Sequence, residues 1–166
     1  FLGKMGTSPD LYDAVEITTQ YFPYQLKIAP ANSADLVLTF RNAHNWVVPG
    51  YGGDTAAVAS FMAMFDALKP GGTLGIVDHR WPDPKTEDPT AASGYVSEQR
   101  VIALVEAAGF EFVSSSDMHR NPKDMHTHPR GVWTLPPSLA LGDVDRDRYL
   151  AIGESDRMTL KFRKPK

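Results

Sequence analysis

The sequence predicts an α/β fold: the second half of a doubly wound sheet, mostly parallel, with an antiparallel last strand. Three observations carry this. Strand-like apolar runs alternate with two helical stretches. Residues 58–78 read as a helix, a Lys69-Pro70-Gly71-Gly72 turn, and a buried strand from Thr73. Pro70 cannot continue a helix and Gly71-Gly72 permits positive φ, so the chain must reverse there. A helix leading through such a turn into an apolar strand is half of a parallel crossover unit.

The elements follow in order. Residues 1–5 read as the tail of a helix already in progress, as in the carboxyl-terminal part of a longer protein or a trimmed small one. Residues 14–20 alternate and are β-branched, which predicts a strand. Tyr21-Phe22-Pro23-Tyr24 is an aromatic loop. Asp35 to Phe40 is a nearly continuous apolar strand, expected to be central. Residues 41–53 are a loop, and Asp54 is the expected N-cap of a helix through Leu68. The strand at 73–78 follows, parallel to 35–40 by the right-handed crossover rule. Pro82, Pro84 and Pro89 make residues 81–94 a loop. Ser97 caps a helix from Glu98 to Ala108, closed by Gly109. Residues 110–115 form a strand, residues 117–148 an irregular insertion, and 157–163 the final strand.

With 166 residues, 42% of them apolar, the chain is long enough for one domain, 1–166, with its own core. A net charge of −3 with interspersed signs gives no electrostatic case for nucleic acid or membrane partners, leaving a small-molecule substrate as the expectation. The absence of cysteine excludes disulfides, a thiolate nucleophile and thiolate metal sites. It leaves both periplasm and cytoplasm open as compartments. No apolar run approaches the roughly 20 residues of a membrane helix.

Several segments together resemble class I S-adenosylmethionine-dependent methyltransferases. The likeness is to a bacterial family of predicted methyltransferases, many of whose members carry secretion signals. The segments are 33–46 (Ser-Ala-Asp-Leu-Val-Leu-Thr-Phe-Arg-Asn-Ala-His-Asn-Trp), Leu68-Lys69-Pro70-Gly71-Gly72, Val77-Asp78-His79-Arg80, Ser93-Gly94-Tyr95-Val96, 131–137 (Gly-Val-Trp-Thr-Leu-Pro-Pro) and 153–158 (Gly-Glu-Ser-Asp-Arg-Met). The resemblance implies a Rossmann-like sheet and S-adenosylmethionine as cofactor. It implies Phe22, Arg41 and Asn42 as cofactor contacts, and Asn45, Trp46, Arg80 and Tyr95 as substrate contacts. It also exposes a departure. Such enzymes hold the cofactor on a glycine-rich loop after the first strand and with an acid after the second, and neither is found here. Strand 14–20 would then be the family's third, and the first two strands, central in the family's sheet, would be missing. That would leave the 35–40 edge bare, to be covered by strand 14–20 or by another chain, as in a homodimer.

Ligands in open α/β sheets bind beyond the carboxyl ends of the strands. Arg41, Asn42, His44, Asn45 and Trp46 follow one strand end, and Asp78, His79 and Arg80 the next. The two ends should share one cleft. His44 or His79 can serve as general base for a hydroxyl or amine acceptor, because imidazole titrates near neutrality. The scaffold alternative is that Asn42 and Asp78 brace loops and Trp46 fills core. His119, His126 and His128, with Asp117 and Asp124, match no zinc-ligand spacing and read as surface histidines, so no metal is expected. Glu154, Asp156 and Arg157 read as an ion-paired turn. The leading expectation is methyl transfer to a small acceptor by the intact parent, this chain being inactive alone. The rivals are a non-catalytic α/β interaction module and a metal-dependent hydrolase using the histidine loop.

Overall fold

A computed structural model describes residues 2–166. Two short helices, α1 (Leu2–Thr7) and α2 (Pro9–Tyr12), precede the sheet. The helix expected over 1–5 is thus present from Leu2, and Phe1 lies outside the described residues. The sheet contains β1 (Ala34–Phe40), β2 (Leu68–Trp81), β3 (Val96–Ser97), β4 (Glu111–Ser116) and β5 (Arg157–Arg163). Its order is β1-β2-β5-β4, with the short β3 also on β2. β1 and β3 run parallel to β2, and β5 is antiparallel to both β2 and β4. Between β1 and β2 crosses α4 (Gly53–Ala67), and between β3 and β4 lies α5 (Glu98–Ala107).

The Lys69–Gly72 turn takes a form the sequence reading did not anticipate. It is a bulge inside β2: Ala34 pairs with Leu68, but Leu36 pairs with Thr73. Gly71 has φ +82°, and its N–H donates to Lys164 O at 2.9 Å. A Cβ at Gly72 would lie 2.8 Å from Lys69 O, so only glycine fits there. The N-cap of α4 is Gly52 and not Asp54. Gly52 sits at φ +129° with Phe22 so close that a Cβ would be 2.8 Å from its ring, a turn open only to glycine. Asp54 falls in the first helical turn, where it accepts from Arg100 at 2.7 Å. Ser97 caps α5 as expected, accepting from Arg100 N–H at 3.2 Å, and Gly109 closes it at φ +100°.

Residues 14–20 do not form a strand, and this corrects the sequence reading. Val15 and Ile17 are exposed, and the segment pairs with no sheet edge. The reason lies in the next segment. Phe22 packs at the N-terminus of α4, while Asn32 and Ser33 N–H groups donate to Asp66 O and Ala67 O at its C-terminus, both at 2.9 Å. Residues 22–33 therefore run the length of α4, and the chain enters β1 from that side. Alternation alone does not make a strand where no edge is within reach. The outer edge of β1 has no strand partner among the described residues.

The core lies between the sheet and helices α4 and α5. It joins Phe61, Met64, Val101 and Val105 to Leu74, Ile76, Met158, Leu160 and Phe162. The other face exposes Leu36, Leu38 and Phe40. Residues 117–148 are irregular apart from a 3-10 turn at Gly131–Thr134 and the start of α6 (Arg146–Ile152). No helix among the described residues is long and apolar enough to cross a membrane.

Candidate functional site

A cleft of about 340 Å³ opens beyond the carboxyl ends of β1 and β2. β1 ends at Phe40. Arg41 then turns the chain at φ +56°, its N–H still bonded to Val77 O at 2.7 Å. The one-turn helix α3 (Ala43–Trp46) follows and aims His44 at the neighbouring strand end. Asp78, fully buried near the end of β2, collects three donors. Oδ2 accepts the His44 N–H at 2.9 Å, and Oδ1 accepts the His79 N–H and the His44 ring Nδ1, both at 2.7 Å. A carboxylate only accepts, so Nδ1 of His44 carries the proton and Nε2 is left with a free lone pair.

His79 lies beside His44, ring centroids 5.1 Å apart. Its Nδ1 is 2.5 Å from Oγ of the buried Ser155, on the turn before β5. Burial lowers the His79 pKa to about 4, against the pull of Asp78 and with help from His44, Arg41 and Arg157. His79 is therefore neutral at physiological pH. Trp133 and the Pro136-Pro137 pair, from the irregular insertion, form the opposite wall. Trp133 meets the His44 ring edge-on at 6.2 Å between centroids.

The cleft gathers Arg41, Asn42, His44, Asn45 and His79. It does not gather Phe22, Trp46, Arg80 or Tyr95. Phe22 lies against Gly52 and Tyr51 beside α4. Trp46 faces the core, edge-on to Phe61 at 5.3 Å. Arg80 is buried with its guanidinium on both carboxylate oxygens of Asp156, at 2.8 to 3.1 Å. Tyr95 is buried, its hydroxyl donating to Asp124 at 2.8 Å. These four have packing or charge partners that account for them without a ligand. Asn42 is braced weakly, donating to Thr39 Oγ1 at 3.4 Å. Asp78, Ser155 and Trp133 are the site residues that sequence reasoning missed as such. Asp78 is placed on the strand-end rim by the sequence but given no site role beyond the alternative of bracing a loop, and the other two are brought in from more than 50 residues away along the chain.

The loop histidines do not converge. His119 Nδ1 meets Thr159 Oγ1 at 2.7 Å, and His128 Nε2 meets Asp124 at 2.7 Å. His126 Nε2 lies 3.4 Å from Asp156, though not aligned for a hydrogen bond. The expected Glu154–Arg157 ion pair forms, while Asp156 pairs with Arg80. Among the described residues one group could hold a metal ion: His44, Asp78 and His79, each offering a ligating atom within 4.8 Å of the others.

S-adenosylmethionine does not find a complete seat here. Among the described residues no strand is followed by a glycine-rich loop. Asp78, the carboxylate next to the cleft histidines, is engaged by His44 and His79. What is present is a polar rim, two buried histidines and an aromatic wall.

No protein-family model matches the chain, and no curated protein matches its sequence. Solved structures do match. The [4+2]-cyclase SpnF is 17% identical with a TM-score of 0.60, covering 98% of this chain and 60% of its own. A SAM-dependent methyltransferase from Aquifex aeolicus is 12% identical with a TM-score of 0.54, covering 98% and 60%. The mitomycin 7-O-methyltransferase MmcR is 19% identical with a TM-score of 0.56, covering 98% and 38%. The chain thus spans about 60% or less of these three structures. At such identities the likeness speaks for architecture: the chain has a partial Rossmann-like fold of the kind found in class I S-adenosylmethionine-dependent methyltransferases.

Proposed function

We propose that this chain is the acceptor-binding part of an S-adenosylmethionine-dependent methyltransferase, in which His44 takes the proton from a hydroxyl or amine acceptor. The observation that carries the reading is the buried His44–Asp78 pair, 2.7 Å apart at the floor of the cleft. Asp78 holds the His44 ring through Nδ1, which fixes its orientation and leaves Nε2 to accept a proton. Asn42 and Asn45 offer amide groups on the rim, and Trp133 offers a flat wall against which an acceptor can lie. The cofactor would supply the electrophilic methyl group, and its seat requires chain beyond the residues described. Alignment of acceptor and methyl donor supplies most of such catalysis.

The test is transfer of labelled methyl from S-adenosylmethionine to a panel of phenols, amines and hydroxy acids by the natural protein that carries this chain. His44→Ala and Asp78→Asn should each lower kcat by about 10²- to 10⁴-fold while cofactor affinity stays within about twofold. Full activity in His44→Ala would remove the base from the reading. The same fold in a [4+2]-cyclase means that the reaction must be measured and not inferred from architecture. Absence of cofactor binding in that natural protein would favour the non-catalytic module.

A further inference from the structure

We propose that His44 and His79 form a two-imidazole seat for a divalent transition metal such as zinc at the floor of the cleft. This goes beyond the methyl-transfer reading and competes with it for one atom: a metal on His44 Nε2 takes the lone pair that would otherwise accept the acceptor's proton.

The argument starts from what holds each ring. Nδ1 of His44 is fixed on Asp78 Oδ1 at 2.7 Å, and Nδ1 of His79 on Ser155 Oγ at 2.5 Å. Both anchoring residues are buried. A histidine whose Nδ1 is held by a buried carboxylate or hydroxyl presents Nε2 as a ligand of fixed direction, the arrangement usual around protein-bound zinc. Neither Nε2 has a protein hydrogen-bond partner among the described residues, and neither is sealed off from solvent, while both rings line the cleft. The two rings lie side by side, centroids 5.1 Å apart and tilted at 59°.

The distances are compatible. Zinc–nitrogen bonds of about 2.1 Å keep two ligating atoms within about 4.2 Å of each other. One ring nitrogen of each histidine lies within 4.8 Å of the other and of an Asp78 oxygen, and the two ring centroids are 5.1 Å apart. Sharing one ion requires both Nε2 atoms to face the same point of the cleft. Asp78 stays behind the first ligands, because its oxygens hold the His44 and His79 N–H groups as well as the His44 ring. Two protein ligands leave the other positions of the metal to water or to an oxygen of a molecule in the cleft. The cationic Arg41 on the same rim weakens the site and favours a metal that arrives with an anionic co-ligand.

The test uses the chain stripped of metal. Zinc is titrated by calorimetry and cobalt by its visible absorption. One ion per chain should bind in the micromolar range, and His44→Ala and His79→Ala should each weaken binding by about tenfold or more. His119→Gln, outside the cleft, should leave it unchanged. Nitrogen-detected imidazole spectra of the unaltered chain guard against a folding defect in the variants. Zinc should move the Nε2 signals of His44 and His79 and leave those of His119, His126 and His128 in place. Binding no tighter than millimolar, or zinc-induced shifts confined to the three loop histidines, would overturn the proposal.

Discussion

His79 shows what burial does to a single side chain. Its imidazole is held neutral, with a pKa lowered to about 4 mainly because it is removed from water. An unfolded chain takes up a proton there near pH 6.5, so below that pH the unfolded state binds more protons than the native one. The stability tied to neutral His79 is therefore complete above about pH 6.5 and is lost as pH falls toward 4. Between roughly pH 7 and pH 4.5 the loss should be about 2 kcal/mol. Urea unfolding in metal-free buffer measures it, and His79→Asn should lack that share of the pH dependence. A ring titrating near 6.5 in the folded chain would contradict the burial argument. Asp124 is the opposite case. Its burial works to raise the carboxyl, but bonds from the Asp156 and His126 N–H groups, the His128 ring and the Tyr95 hydroxyl hold it below its ordinary value. The stability it contributes is present above the unfolded carboxyl range and is lost only as pH falls through the lowered pKa.

At the scale of elements, the carboxyl end of α4 depends on a residue nearly 100 positions away. Lys164, just past β5, is buried, and its ammonium donates to Phe65 O and Leu68 O at 2.8 Å and to Asn32 at 3.0 Å. The same ammonium sits 4.5 Å over the Phe65 ring. A cation at a helix C-terminus meets the carbonyls that the helix cannot satisfy itself. Lys164→Met keeps most of the volume and removes the donors, and should cost about 1–3 kcal/mol by urea unfolding. A cost below about 0.5 kcal/mol would mean that water replaces the ammonium. A second tie joins the irregular insertion to β2. Arg80 holds Asp156 with two guanidinium nitrogens, and Asp156 also accepts the Asn121 N–H at 2.8 Å. That clamp explains why an insertion with so little regular structure can supply Trp133 at a defined place.

For the molecule as a whole, the sheet is finished on one face only. Helices α4 and α5 cover the face bearing Leu74 and Ile76, while Leu36, Leu38 and Phe40 are each more than half exposed on the other. The outer edge of β1 also lacks a strand partner among the described residues. Such an apolar face beside an open edge is a surface that binds dyes and other chains. The chain in isolation should enhance the fluorescence of a hydrophobic dye, and every second amide of residues 35–40 should exchange rapidly with solvent. Leu36→Thr with Leu38→Thr should reduce the dye signal without lowering the melting temperature. Strong protection of all the 35–40 amides would show that the edge is covered in solution.

The sequence by itself determined the parallel crossover from β1 through α4 to β2, the capped helix α5, the antiparallel β5 and the strand-end position of the site. Those features depend on neighbours a few residues apart: Ser97 below Arg100, Gly109 at positive φ, apolar runs long enough to be strands. It did not determine that residues 14–20 stay out of the sheet, because alternation reports a preference and not the presence of an edge. Nor could spacing reveal that Trp46 turns inward while Trp133 comes to the cleft, or that Arg80 points away to Asp156. Direction at a strand end is set by packing. The pairing of His44 with Asp78, 34 positions apart, and of His79 with Ser155, 76 apart, came only with the tertiary structure. A buried hydrogen bond between distant residues leaves no local periodicity, because it is the meeting of β1, β2 and β5 that brings the partners within reach.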